Sequence, residues 1–194
     1  MRKLVVIEFM SLDGVVQAPG DAQEDTEGGF AHGGWQRPYF DEVFARQAAD
    51  GMAQTDAQLF GRKTYDKMAA FWPTVGDDDP FAKHLNHVTK YVASRSMTEA
   101  TWEGTTVLNG DVVAQVREIK EQGGGTISVL GSADLAHTLM AHDLIDEYSL
   151  AVHPILLGKG KKLFRNAEQV RKLELVDCTR TTTGVLLTTY RPAR

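Results

Sequence analysis

Cysteine is almost missing from this chain: Cys178 is the only one in 194 residues. An internal disulfide and a cysteine-ligated zinc cluster are therefore excluded. Positive charge is also short, with 21 Lys and Arg against 26 Asp and Glu and a formal net charge of −5. A field of that sign repels phosphate polymers, so no nucleic-acid partner is expected, and any bound phosphate must be met by local cations. No apolar run reaches bilayer-spanning length, so no membrane partner is expected either. The opening MRKLVVIEFMSLDG turns polar too soon for a signal peptide, and cytoplasm is the expected compartment. The histidines are scattered without ligand spacing, and no metal is expected. Repeats, low-complexity tracts and the G-x-G-x-x-G fingerprint are lacking. Gly158-Lys159-Gly160-Lys161-Lys162 lacks the spacing and hydroxyl of a phosphate-binding P-loop and reads as a basic turn.

What is present is ordinary globular composition, 42% hydrophobic and 24% charged, enough for one domain over residues 1–194. Leu4 to Phe9 reads as a buried strand closed by the turn Ser11-Leu12-Asp13-Gly14. The stretch from Gln17 to Trp35 is a long polar loop, and a helix is expected from about Pro38, with Phe40, Val43, Phe44 and Gln47 on one face. Strands and helices then alternate. Ala57–Phe60, Lys90–Ala93, Thr105–Leu108 and Thr126–Leu130 read as strands, with helices from about Thr64, Val112 and Ala133. Towards the end, Glu147–Ile155, Leu173–Thr182 and Val185–Arg191 are strands, the last two joined by a Thr183-Gly184 turn. The expected fold class is α/β: a mostly parallel central sheet, helices on both faces, and an antiparallel hairpin at the C-terminal edge.

Three predicted strand ends carry residues suited to phosphate. Gly61-Arg62-Lys63-Thr64 places two cations and a hydroxyl at a helix start, where free N–H groups and the helix dipole favour an anion. Ser94-Arg95-Ser96 offers a guanidinium flanked by hydroxyls, apt for a phosphate monoester. Gly131-Ser132-Ala133-Asp134-Leu135 is a glycine turn opening a helix, able to set backbone N–H groups against a pyrophosphate. Each has a plainer reading: solvated charges at a turn, a polar loop, and a glycine turn with Ser132 as helix cap. The three lie at the carboxyl ends of different strands, where open α/β sheets bind ligands.

The ordered set Ser11-Leu12-Asp13-Gly14-Val15, Gly61 to Tyr65, Ser94 to Ser96, Leu130 to Ser132 and Pro154 to Gly160 resembles the dihydrofolate reductase superfamily. Within it, the similarity is to the branch of the reductase domain of bacterial riboflavin biosynthesis, the RibD C-terminal domain type. The resemblance implies a homodimer that binds NADPH and passes hydride to a pterin- or pyrimidine-like ring. It puts Arg62, Lys63 and Thr64, with Gly61, at the phosphates, Ser94, Arg95 and Ser96 at the 2′-phosphate, and Gly131 to Leu135 at the pyrophosphate. It nominates Asp41, one turn into the first helix, as the proton-relaying carboxyl, with Phe9 and Trp35 beside the substrate. Burial against those rings would raise its proton affinity. The alternative is that Asp41 only favours the helix dipole. Asp13 is a second catalytic candidate that either contacts substrate or shapes the turn with Gly14. A non-catalytic nucleotide-binding or sensing protein on the same fold is the competing functional reading.

Overall fold

The β-branched run near the start of the chain becomes a central strand, β1 (Leu4–Ser11), flanked on each side by a parallel neighbour. The computed structural model describes residues 1–165 and 170–193. After β1 come α1 (Glu42–Gln54), β2 (Thr55–Gly61), α2 (Arg62–Phe71), α3 (Pro80–His87), β3 (Thr89–Ala93) and β4 (Thr105–Leu108). They are followed by α4 (Val112–Glu121), β5 (Thr126–Leu130), α5 (Ala133–Ala141), β6 (Glu147–His153), β7 (Leu173–Arg180) and β8 (Leu186–Pro192). The sheet order is β4-β3-β2-β5-β1-β6-β8-β7. Strands β1 to β6 run parallel, while β8 pairs antiparallel with both β6 and β7. The expected α/β fold with its antiparallel C-terminal hairpin is what forms.

Both faces of the sheet are apolar because helices cover both. On one face Leu4, Val6, Leu59, Ile127 and Val129 pack against Val116 and Ile119 of α4 and Leu135 and Leu139 of α5. On the other, Phe60 and Val92 meet Tyr65 of α2, Leu85 of α3 and Trp102, while Phe44 of α1 packs with Ala151 and Leu187. Burial of side chains this size stabilises by roughly 1.5–3 kcal/mol each.

Two helix starts differ in how the sequence announces them. Asp79 caps α3, accepting the N–H groups of Phe81 at 2.8 Å and Ala82 at 3.0 Å, and Pro80 sits at the first helical position it suits. Around Pro38 the expected continuous helix is instead a 3-10 turn, Arg37–Tyr39. Asp41 is extended there, with φ −142°, and α1 begins at Glu42. Among the described residues no helix is long and apolar enough to cross a membrane.

The strand that delivers Ser94 and Arg95 is anchored by a buried cation. Lys90 on β3 is 0% exposed, and its Nζ donates to the carbonyls of Leu85 (3.0 Å), Asn86 (3.0 Å) and Val88 (2.8 Å) at the end of α3. It also lies 4.8 Å from the centre of the Trp102 ring. Burial pushes its ammonium down to about 8, a cost the three carbonyls and the ring offset. Lys90→Met strands those carbonyls and is expected to lower the urea-unfolding free energy by about 1.5–3 kcal/mol. An unchanged midpoint would show the ammonium contributes nothing to the fold.

Candidate functional site

A groove of about 680 Å³ runs along the carboxyl tips of β1, β2, β3 and β5. Gly61, Arg62, Lys63 and Thr64 line one wall, Ser94 and Arg95 one end, and Gly131 to Leu135 the opposite wall. Three segments far apart in sequence thus share one cleft. The backbone at its centre is under tension. Gly131 has φ +62° and Ser132 φ +64°, and the second is a left-handed conformation that costs a residue with a Cβ roughly 1–2 kcal/mol. The Ser132 hydroxyl does not cap α5; its Oγ accepts the Gly61 N–H at 2.9 Å. Gly61, at the N-cap of α2, has no side chain to offer that helix. The first turns of α2 and α5 therefore both open on the groove without a side-chain cap, leaving N–H donors for an anion.

The long polar loop folds over the groove's far end. Gln17 Nε2 donates to the carbonyls of Asp25 (3.1 Å) and Glu27 (3.0 Å), and Trp35 Nε1 donates to the Gln17 carbonyl (2.8 Å). Glu27 sits between two ammonium groups, Lys161 at 2.7 Å and Lys63 at 2.7 Å, which together hold its carboxyl down to about 2. Asp25 also pairs with Lys161 at 2.6 Å. Arg62 is turned along its helix to Asp66 at 2.8 Å. Arg95 is exposed and makes no ion pair among the described residues.

A smaller, apolar cavity of about 150 Å³ lies on the α1 and α3 side of the sheet, lined by Ile7, Phe44, Met52, Phe81 and Leu187 among others. Glu8, Phe9 and Leu130 line both spaces, so the ends of β1 and β5 border the groove and the cavity alike. Glu8 is 4% exposed, and its Oε1 has no hydrogen-bond partner among the described residues. Burial, with the nearby Glu24 carboxylate, pushes its own carboxyl up to about 8.

The sequence profile of the RibD C-terminal domain matches residues 2–187. The chain belongs to that family. It is 31% identical over 144 residues, 73% of this chain and 76% of the other, to the uncharacterized protein YyaP of Bacillus subtilis. A Shewanella sp. PV-4 structure named for riboflavin biosynthesis shares the fold at 22% identity, with 99% of each chain covered and a TM-score of 0.73. Enterococcus faecalis dihydrofolate reductase, solved with NADP(H), does so at 14% identity, over 99% of this chain and 97% of that one, with a TM-score of 0.63.

Within this RibD-type framework several expected roles need correction. Asp41 lines neither cavity. It is the N-cap of α1, accepting the Phe44 N–H at 2.9 Å, and its other oxygen takes the Thr182 N–H (2.7 Å) and hydroxyl (2.6 Å). The Thr182 side chain first, then these backbone donors, lower its carboxyl's affinity for protons, the reverse of the expected shift. Asp13 also stays outside the groove. It accepts from Ser11 Oγ (2.7 Å), Leu157 N–H (3.1 Å) and Gly158 N–H (2.8 Å), led by the Ser11 bond that helps bring it down to about 2, so it shapes a loop. Trp35 is buried with Val15, Ala18 and Phe30 rather than facing a ligand site. Ser96 lies beyond the groove, its N–H turned to Ser94 Oγ at 3.3 Å. Phe9 alone of the substrate-side residues lines both spaces. The residue that sequence reasoning passed over is Glu8, although one acid inside the apolar run LVVIEFM was a visible signal.

The buried acid makes a stability prediction. Its folded value near 8 exceeds the ordinary 4.5, so the native state keeps a proton the unfolded chain releases. That contribution is complete below pH about 4.5 and is lost as pH rises through about 8. Glu8→Gln does not titrate, so its unfolding free energy relative to wild type should climb between those limits by on the order of a few kcal/mol, read from urea melts. A difference that stays flat with pH would mean that Glu8 titrates normally.

Proposed function

We propose that the chain is an NADPH-dependent reductase of a small pterin- or pyrimidine-like heterocycle, of the kind reduced in riboflavin or folate chemistry. The observation that carries this reading is a phosphate-suited groove and an apolar cavity that share Phe9 and Leu130 as lining. The groove fits the cofactor: two uncapped helix starts, the cations Arg62 and Lys63, and the exposed guanidinium of Arg95, which makes no ion pair among the described residues. Arg62, Lys63 and Thr64 would hold the phosphates, Gly131 to Leu135 the pyrophosphate, and Ser94 and Arg95 the 2′-phosphate. Bound there, NADPH supplies a hydride to the acceptor ring. The apolar walls from Phe44, Met52 and Phe81 would exclude water from that ring and fix its plane. Family membership and the NADP(H)-bound state of the Enterococcus faecalis relative support the assignment.

Calorimetric titration tests it. NADPH should bind more tightly than NADH, and Arg95→Ala should cost NADPH about 1.5–3 kcal/mol while leaving NADH affinity in place. Equal affinities for the two dinucleotides would remove the role given to Ser94 and Arg95.

We further propose a homodimer built on the C-terminal hairpin. Leu173, Leu175 and Val176 of β7 and Leu186 of β8 are exposed at 37–53%, and β7 is the sheet's outer strand, an edge that a second copy can cover. Light scattering after gel filtration should give twice the chain mass, and Leu175→Glu should return the monomer. A monomeric wild type would sink this assignment.

A further inference from the structure

On β1, Glu8 shares its face with Leu4, Val6 and Met10, all of which lie in the core packed against α4 and α5. Packing alone would place a fourth aliphatic side chain there. The protein instead keeps a carboxyl that is 4% exposed, with Oε1 unpartnered among the described residues, at a position that lines both the groove and the apolar cavity. Among the described residues no hydrogen bond or ion pair answers that oxygen. Lys161, on the groove wall, is held by Asp25 and Glu27, and Lys63 by Glu27. Of the other charged groups lining the groove, Lys67 on α2 acts on Asp25, Glu24 on the loop carries the same sign as an ionised Glu8, Arg62 is paired with Asp66 and Asp134 on α5 with Arg165, and Arg95 and Asp111 complete the set. Leu150 of β6, which pairs with Glu8, and Leu130 of β5, which pairs with the preceding Ile7, are uncharged.

An ionised carboxylate in this position is an acceptor only, without solvent or counter-charge. A protonated carboxyl is a donor and an acceptor side by side. That pattern complements a primary carboxamide, which presents one N–H₂ and one C=O in the same plane. The nicotinamide end of the dinucleotide carries such a group, whereas its phosphates add negative charge that disfavours ionised Glu8.

We propose that Glu8 is a cofactor-contacting acid, which hydrogen-bonds the carboxamide end of NADPH from the groove wall and couples cofactor affinity to that one residue. The inference rests on the reductase reading above and deepens it. A ring laid over Glu8 removes what water remains and binds the protonated form selectively. By linkage, affinity is level while Glu8 holds its proton and falls once the proton is lost.

The test needs no substrate. NADPH dissociation constants are measured by calorimetry from pH 7 to 9.5 for wild type and Glu8→Gln, with the Glu8 carboxyl carbon followed by NMR in ¹³C-labelled protein. Wild-type affinity should weaken above pH about 8 by up to tenfold per pH unit. Glu8→Gln, whose amide also donates and accepts, should bind within a few-fold of wild type at pH 7 and stay level across the range. In the free protein the Glu8 resonance should titrate well above the other carboxyls and move higher with NADPH. A level wild-type profile, or the same slope in Glu8→Gln, would overturn the inference while leaving the cofactor assignment standing. Folded Glu8→Gln that binds poorly at pH 7 would also overturn it, because the ionised form would then be the one required. Wild type that binds no NADPH at pH 7 would overturn the reductase reading together with this one.

Discussion

The hydrogen bond from the Gly61 N–H to Ser132 Oγ holds the tip of β2 against the tip of β5, and the groove depends on that contact. Because β5 is inserted between β2 and β1, α2 and α5 begin beside each other, with their positive ends side by side. Ser132 reaches Gly61 only by adopting the left-handed backbone that a serine resists. The same residue thereby gives up capping its own helix. Strain at one position thus leaves two sets of unsatisfied N–H donors around a single cleft, and anion affinity follows from backbone geometry before any side chain is counted.

Two buried ionisable groups show how differently a fold can treat a charge. Lys90 is surrounded by carbonyls that leave its three donors answered, so its burial is a structural device that fixes the end of α3 and the strand leading to Arg95. Glu8 is equally enclosed and has nothing comparable. A group left unsatisfied in a native interior costs stability, and its position lining both cavities gives that cost a functional location. On the proposal made for Glu8, the contrast separates a residue that builds the site from one that acts in it.

Much of this was legible in the chain itself. Glycine, serine and arginine at the ends of β-branched runs marked the groove's walls, because those residue types have few reasons to recur at successive strand tips. The strand order was not legible, since sequence says nothing of which parallel strands become neighbours. Asp41 shows the limit at residue scale. A carboxylate at the N-cap and one a turn inside the helix differ by a few positions, and the 3-10 turn at Arg37–Tyr39 moved the boundary. Once at the cap, its oxygens were committed to backbone donors and to Thr182. Asp13 failed similarly, since only the fold brings Leu157 and Gly158 to it across the chain. Glu8 was missed for the opposite reason. Hydrophobic periodicity identifies a strand by its majority and absorbs a single polar letter.

The acidic loop reconciles a negative chain with a cationic groove. Glu27 holds Lys63 and Lys161 at equal distances of 2.7 Å, so with no ligand bound these ammonium groups face a carboxylate rather than each other. Lys63 and Glu27 are both exposed at the side chain, by 72% and 57%, and ion pairs of that kind contribute little net stability. A phosphate in the same place would be held by helix N–H donors as well as by the cation. On the reductase reading, a dinucleotide therefore replaces a weak exposed pair with an anion that the helix starts also bind. The loop's carboxylates keep the groove's cations in place until that exchange, and for Lys63 the energetic cost is small because its pair with Glu27 is exposed to water.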